Sequence, residues 1–367
     1  QQYRYLIARF AHSRGFGLGE IMNEINGTDG WAQGRTQEAA EWVHKVHIYF
    51  KENDPYNHPT TASRSGGYGE YWGDVYELFD VANLHVYETQ GWPQNYTGNP
   101  LRSSMANYAF GATRFWQNFQ QPAIFGEAGW DWVFVDVNSP DYSKLYHNAL
   151  WASLTNGLAA TPIWWVWNDP LDKEDWQQMA HFSEFVKNID FINDSREPFS
   201  ESTDEFDLFG MKSESTAFGW MRLAQAPDIS NTKLRINGDF NKNIPVWAIT
   251  YFNTWSGDTL DVHIRPNLDG VLYDQTPQLD APHPDVAFTA RAAMGGDTPV
   301  QLQLWSDDYE VMNIDTLKIP LTCFLFDDQD RFCGTAQNNI KFTLEGSGSL
   351  STDNVNAENG AARITYS

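Results

Sequence analysis

Hydrophobic residues follow two different spacings over roughly the first 190 positions, and the two spacings alternate along the chain. A period near 3.6, as over 36–52, predicts an amphipathic helix, and a short continuous apolar run predicts a strand. The predicted helices are 1–10, 36–52, 101–120, 142–156 and 176–189. The predicted strands are 15–24, 58–63, 81–87, 122–130 and 160–167. This alternation predicts parallel strands joined by right-handed helical crossovers.

The pattern changes after about residue 199, where helical periodicity gives way to short apolar runs separated by Gly, Pro, Asn and Asp. Such runs are typical of β-sandwiches. We therefore predict an α/β domain over 1–199 and a β-sandwich over 200–318, the latter including strands near 217–223, 246–253, 260–264 and 300–304. A second break near Ile319 predicts a further β domain over 319–367.

Composition and charge limit the kinds of molecule that this chain is expected to bind. The 367 residues include 16 Trp and are 15% aromatic, which suits sugar binding because pyranose faces stack on aromatic planes. Core packing remains the commoner role of any single Trp. A net charge of −24 argues against nucleic acid and anionic membranes, which both need basic patches. No apolar run approaches the ~20 residues of a membrane span.

The two cysteines, Cys323 and Cys333, flank an acidic turn. This spacing allows a hairpin disulfide or two free thiols, and the sequence leaves both open.

Two glutamates, Glu24 and Glu127, each close a short apolar run at the point where a strand would end. Paired carboxyl groups at strand ends are what a glycosidase needs. Taken singly, each is more simply one acid among 48. Other reactive side chains also fall at or just after strand ends, where a (β/α)₈ barrel keeps its active site: Ser63, His85, Tyr87, Trp165 and Trp167.

Four motifs carry a family resemblance over about residues 1–200. They are Asn23-Glu24, His85-Val86-Tyr87, Phe125-Gly126-Glu127-Ala128-Gly129 and Trp164-Trp165-Val166-Trp167. In this order they resemble the retaining (β/α)₈-barrel clan of glycoside hydrolases, which includes family 5 cellulases and family 2 β-galactosidases. The resemblance implies a TIM-type barrel in which 15–24 is the fourth strand. We therefore expect either a fragment lacking its first three strands or a barrel completed by further chain segments. Residues 319–367 resemble part of an Ig-like module.

The resemblance also implies roles. Glu127 is the expected nucleophile and Glu24 the expected general acid and base. The expected substrate-binding residues are Asn23, His85, Tyr87, Trp165 and Trp167. Four of them have a simpler reading: a turn amide for Asn23, a core histidine for His85, and barrel packing for the two tryptophans. Glu20 lies four residues before Glu24, on the same strand face, and is read as a structural acid or a partner of the catalytic pair. No cofactor and no metal are predicted.

Three functions compete at this stage. The first is a secreted or cell-surface retaining β-glycosidase acting on a neutral or weakly charged polysaccharide. The second is a catalytically inactive, carbohydrate-binding or structural surface glycoprotein derived from such a barrel. The third is a different (β/α)₈ enzyme, such as a lyase or a metal-dependent hydrolase, for which Tyr87 is the candidate base. The intact pair of glutamates favours the first, because a binding module needs neither acid.

Overall fold

The structure is a computed structural model, and it describes residues 1–65, 75, 77–88, 121–130, 140–165, 175–187, 189–203, 206–223, 232–237, 240–241, 243–267, 270–278, 285–306 and 318–367. Its helices are α1 Gln2–Phe10, α2 Asp29–Ala32, α3 Thr36–Asn53, α4 Pro140–Thr155 and α5 Gln177–Val186. The strands of the N-terminal part are β1 Gly19–Glu20, β2 Thr60–Thr61, β3 Ser63–Ser65, β4 Ala82–Glu88 and β5 Ala123–Trp130.

The N-terminal strands pair in parallel, as the alternating pattern predicts. β1 pairs with β2, β3 with β4, and β4 with β5. Trp164 then forms a parallel bridge with Ala128 of β5. The described strands therefore form a parallel arc whose carboxyl ends lie at one edge.

Two predicted strands are shorter than expected. The strand predicted over 15–24 is assigned only at Gly19–Glu20, although backbone hydrogen bonds from Ile21 to Thr61 and from Ser63 to Met22 continue the ladder. The last strand, predicted over 160–167, appears in the described residues as the single bridge at Trp164. The first strand ends early because the chain turns at Glu24 into a 3₁₀ turn, Ile25–Gly27.

Helices cover the outer face of the arc. Val43 and Phe50, seven residues apart on α3, lie on one helix face and are buried. On α4, Leu150 and Trp151 are buried in the same hydrophobic cluster. Each such side chain contributes about 1.5–3 kcal/mol of stability when fully buried.

The C-terminal part is antiparallel. Its strands are β6 Glu197–Ser202, β7 Phe206–Lys212, β8 Thr216–Leu223, β9 Lys233–Asn237, β10 Val246–Phe252, β11 Thr259–Pro266, β12 Val271–Gln275, β13 Asp285–Ala292, β14 Gln301–Ser306, β15 Ile319–Phe326, β16 Asn339–Lys341, β17 Asn354–Asn356 and β18 Ala361–Tyr366. The change from helices to strands predicted near residue 199 is seen as β6. A six-stranded sheet has the order β11-β10-β13-β8-β7-β6, and β9 pairs with β12.

The six-stranded sheet is covered on both faces. One face carries Phe218, Trp220 and Phe252 into the cluster that also holds Trp151 of α4. On the other face, Tyr251 and further apolar residues of the sheet pack against apolar side chains of β9 and β12. The sheet is therefore fixed against the helices of the arc on one side and forms a sandwich core on the other.

The remaining strands form a third sheet, ordered β14-β15-β18, with β16 and β17 paired beside it. The strand at 300–304, which the sequence pattern grouped with the β-sandwich, hydrogen-bonds along β15 instead. The domain boundaries and the Ig-like character of 319–367 stay predictions. Cys323 and Cys333 are buried and unbridged, so of the two states left open it is the free thiols that the structure shows.

Among the helices of the described ranges, none combines the length and apolar character needed to cross a membrane.

Candidate active site

Strand β4 supplies three polar side chains to the inner face of the arc. Asn83, His85 and Tyr87 alternate along the strand, so they point to the same side. His85 and Tyr87 were expected at the site from the sequence, but Asn83 was not. The period of two that links it to His85 is the signal that would have found it.

A β-bulge directs Glu127 into the site. The register of β4 against β5 shifts so that Leu84 lies opposite Phe125 and His85 lies opposite Glu127, with Gly126 as the extra residue. In a regular strand Phe125 and Glu127, two residues apart, would face the same side. The bulge leaves Phe125 in the core and turns Glu127 toward His85, which is how bulges re-aim side chains.

A Cβ at position 126 would force the side chain of Asn83 to shift. The backbone N–H of Gly126 donates to Oδ1 of Asn83 at 2.9 Å. A Cβ at this position would lie 2.2 Å from the same oxygen. The glycine of the Phe-Gly-Glu motif is therefore explained by the close approach of Asn83.

Glu24 has a left-handed backbone conformation, with φ 44° and ψ 59°. This conformation is uncommon and strained for a non-glycine residue. The backbone N–H of Glu24 donates to Oγ of Ser63 at 3.0 Å. Two residues later, the side chain of Asn26 exchanges hydrogen bonds with the backbone of Ser65 in both directions. Contacts to β3 therefore hold the strained turn in place.

The two predicted catalytic carboxylates meet at one imidazole. Nδ1 of His85 lies 2.9 Å from Oε1 of Glu24 and 3.2 Å from Oε2 of Glu127. One ring nitrogen of His85 and one carboxylate oxygen of each glutamate lie within 4.8 Å of one another. The two carboxyl groups are therefore near enough to act on one bond of a substrate.

The surroundings of the two carboxylates differ. Glu127 is buried and accepts a hydrogen bond from the hydroxyl of Tyr87 at 2.6 Å. Glu24 keeps 34% of its side chain exposed. A buried, hydrogen-bonded acid and a solvent-facing acid can take different roles in one reaction.

Burial raises the pKa of Tyr87 far above its ordinary value, and the hydrogen bond to Glu127 and the charges of Glu127 and Glu24 raise it further. Tyr87 therefore remains a neutral donor. This argues against the lyase reading, in which Tyr87 would act as a base.

The third acid of the site is Glu20. Partial desolvation is the largest cause that raises its pKa, and the charges of Glu127 and Glu24 add to the effect. A hydrogen bond from Ser63 and the charge of His85 oppose it. Three carboxyl groups therefore share a small volume around His85, an arrangement often found at functional sites.

The remaining predicted residues are less closely engaged. The side chain of Asn23 is exposed, with Oδ1 3.4 Å from Oγ of Ser63. The backbone N–H of Trp165 donates to Ala128, and its side chain is 54% exposed. Neighbouring Trp164 is buried, so Trp165 is the one free to meet a ligand. Trp167 lies outside the described residues.

Glu24, His85 and Glu127 also have donor types that could bind a divalent cation. Metal-binding histidines usually donate their second ring N–H to an anchoring partner. Nε2 of His85 is buried and has no hydrogen-bond partner within the described ranges.

Comparisons with known proteins give matches at the level of structure. No protein-family model matches the chain, and no curated protein matches it either. A family 5 glycoside hydrolase from Bacteroides vulgatus aligns with a TM-score of 0.50 and 13% identity, covering 78% of this chain and 65% of that one. A protein described as a glycoside hydrolase aligns at 0.46 and 12%, covering 70% and 69%. A family 44 endoglucanase from Clostridium thermocellum aligns at 0.45 and 12%, covering 78% and 69%.

The likeness to the family 5 structure concerns the fold alone, because identity is low. The chain spans about two thirds of that structure's length (65%). Over the matched part, this protein has a glycoside hydrolase fold.

Proposed function

We propose that this chain is the catalytic part of a retaining β-glycoside hydrolase that acts by double displacement. The observation that carries the proposal is that Glu24 and Glu127 meet at His85, with one carboxylate oxygen of each within 4.8 Å of the other. We further propose that the parallel arc belongs to a TIM-type (β/α)₈ barrel followed by the β-sandwich, with further chain segments completing the barrel.

In the first step, Glu24 donates its proton to the glycosidic oxygen while a carboxylate oxygen of Glu127 attacks the anomeric carbon. The bond to the leaving alcohol breaks and a covalent glycosyl-enzyme forms. Tyr87 supports this step because its hydroxyl donates to Glu127 and holds the attacking carboxylate in place.

In the second step, Glu24 takes a proton from water, and the resulting hydroxide attacks the anomeric carbon. The bond to Glu127 breaks, and both carboxyl groups return to their starting states. His85 lies between the two carboxylates and keeps their spacing fixed through both steps.

The proposed substrate is a neutral or weakly charged polysaccharide or oligosaccharide. Trp165, with its exposed ring, is the proposed sugar platform. Asn23 is the proposed partner of the sugar 2-hydroxyl, and Trp167 is proposed to extend the platform. The net charge of −24 disfavours a strongly anionic substrate. The proposed location is outside the cell or at its surface.

Turnover of aryl β-glycosides and polysaccharides tests the proposal, using the protein in its full-length context. Glu127→Ala is expected to abolish turnover, and azide is expected to restore part of it by giving a glycosyl azide of inverted configuration. Glu24→Ala is expected to slow substrates with poor leaving groups far more than activated ones. Glu201→Ala, in β6 of the sandwich, is the control and should match the parent.

If the parent binds sugars but hydrolyses none, the proposal is wrong and the chain is a carbohydrate-binding protein derived from a glycosidase barrel.

A further inference from the structure

Glu20 of β1 hydrogen-bonds to side chains of two other strands of the arc, β3 and β4. Its Oε1 accepts a hydrogen bond from Oγ of Ser63 at 2.7 Å and a second from Nδ2 of Asn83 at 3.2 Å. Ser63 begins β3 and Asn83 lies in β4. One carboxylate oxygen of β1 therefore binds the inner faces of both following strands.

Each of these two partners also holds the backbone beside a catalytic glutamate. Oγ of Ser63 accepts the backbone N–H of Glu24 at 3.0 Å. Oδ1 of Asn83 accepts the backbone N–H of Gly126 at 2.9 Å, one residue before Glu127. Two hydrogen-bonded paths therefore begin at Glu20, and each ends at one of the two proposed catalytic residues.

Both paths end at irregular backbone. Glu24 is in the left-handed region, and Gly126 is the extra residue of a bulge. Irregular conformations of this kind persist only where surrounding contacts determine them. Contacts made at Ser63 and Asn83 are the described contacts that act directly on these two backbone N–H groups.

We propose that Glu20 is a positioning residue that sets the placement of Glu24 relative to Glu127. This inference rests on the proposed glycosidase function. An ionised carboxylate suits the task because it is an acceptor only and can take both donors on one oxygen without reorienting. A displacement of about 1 Å in a catalytic group can cost about 10²-fold in rate, so losing this link should be visible in turnover.

Three variants separate positioning from folding. Glu20→Ala removes the acceptor, and we expect kcat to fall about 10- to 100-fold with KM changed less than about threefold. Glu20→Gln keeps an oxygen at the same place, and we expect kcat to recover to within about fivefold of the parent.

Thr61→Val is the matched control: Thr61 lies opposite Glu20 in the β1–β2 register, and its hydroxyl donates to Val81 at 2.7 Å. It removes a buried hydrogen bond from the same arc without touching either path, so kcat should be unchanged.

The two paths can be tested separately with different leaving groups. Ser63→Ala releases the backbone of Glu24, so it should lower kcat/KM for poor leaving groups, which need protonation, and leave kcat/KM for a 2,4-dinitrophenyl glycoside unchanged. Asn83→Ala releases the bulge before Glu127, so it should slow both substrates alike, because the nucleophile acts on each.

Unchanged kcat in Glu20→Ala, or an equal loss in Thr61→Val, overturns the positioning role while leaving the proposed function intact. A parent with no turnover and no covalent labelling of Glu127 by a 2-deoxy-2-fluoro glycoside overturns the proposed function and this inference with it.

Discussion

Two clusters of charged and polar side chains lie on different parts of this molecule, and their compositions are opposite. At the carboxyl edge of the parallel arc, three glutamates, Glu20, Glu24 and Glu127, surround His85. In the β-sandwich, one carboxylate is surrounded by three donors. Asp274 of β12 accepts hydrogen bonds from Tyr251 at 2.9 Å, from Nδ1 of His263 at 2.8 Å and from Nε of Arg265 at 2.7 Å.

The difference separates a stabilising cluster from one suited to chemistry. Asp274 is buried but fully matched, so its charge is compensated where it lies. The three glutamates of the arc lie close together: burial raises the pKa of Glu20, and the charges of Glu127 and Glu24 raise it further. Like charges held together cost stability, and such arrangements persist where function requires them.

The largest expected effect comes from Glu127. Glu127→Gln should lower kcat by about 10⁴-fold or more, because the proposed nucleophile is lost. The melting temperature should stay the same or rise, because one of three like charges is removed. Steady-state kinetics and thermal unfolding on the same preparation check both. A large fall in melting temperature would show that Glu127 is structural and would remove the contrast between the two clusters.

Asp274 should behave in the opposite way. Asp274→Ala leaves Arg265 without its carboxylate and Tyr251 without its acceptor, so we expect a loss of about 3–5 kcal/mol in the free energy of unfolding. Activity per folded molecule should be unchanged. Urea unfolding measures the first and active-site titration the second. Glu197→Ala is the control, because it breaks an ion pair with Lys212 whose carboxylate is exposed and which contributes about 1 kcal/mol or less.

Two tyrosines make the same bond in the two clusters. Tyr87→Phe removes a hydroxyl that donates to Glu127, and we expect kcat/KM to fall about 10- to 100-fold, since hydrogen bonds to charged groups contribute about 1.5–3 kcal/mol. Tyr251→Phe removes the equivalent donor to Asp274 and should lower stability without changing kcat/KM. Equal effects of both substitutions on kcat/KM would contradict the division of roles.

The pH dependence of stability should report His263. Its hydrogen bond to Asp274 is the largest cause that raises its pKa above 6.5. A raised histidine pKa stabilises the folded state below the unfolded value, and that stabilisation is lost as pH rises through the folded value. The parent should therefore lose stability as pH rises from about 6.5, and His263→Gln should lose less. Urea midpoints between pH 6 and 9 measure the difference; parallel curves would show that His263 is not responsible.

Glu20 should give the smallest effect, in a more acidic range. Its folded pKa is raised above 4.5, so the folded state binds more protons than the unfolded state between the two values. Stability must then fall as pH rises through that range. Glu20→Gln lacks this fall, so we expect its melting temperature at pH 7 to exceed the parent's by about 1–3 °C and the gain to vanish near pH 4. A gain that persists at pH 4 would show that the charge is not its cause.

Much of the fold could be predicted from spacing alone. Alternation of predicted helices and predicted strands indicated the parallel pairing of β3, β4 and β5, because strands joined by helical crossovers run in the same direction. The sequence pattern grouped β14 with the β-sandwich, whereas the structure pairs it with β15. A short strand carries no local signal of which strand it will pair with, because pairing depends on contacts with distant residues.

The candidate site was predicted in part. Glu24 and Glu127 were recognisable because each follows an apolar run, and Tyr87 because it lies two residues from His85. Asn83 was missed because an amide within a strand has many ordinary roles. The paths through Ser63 and Asn83 join residues 39 to 63 positions apart, and no local pattern encodes such distances.

By itself, the sequence determined which side chains share a face of β4, because side-chain alternation is a local property of the backbone. Tertiary structure alone decided the bulge at Gly126, the left-handed turn at Glu24 and the meeting of both acids at His85. These depend on hydrogen bonds between strands, which form only once the chain has brought distant residues together. The distance between two carboxylates, and so the chemistry they can share, belongs to the folded molecule.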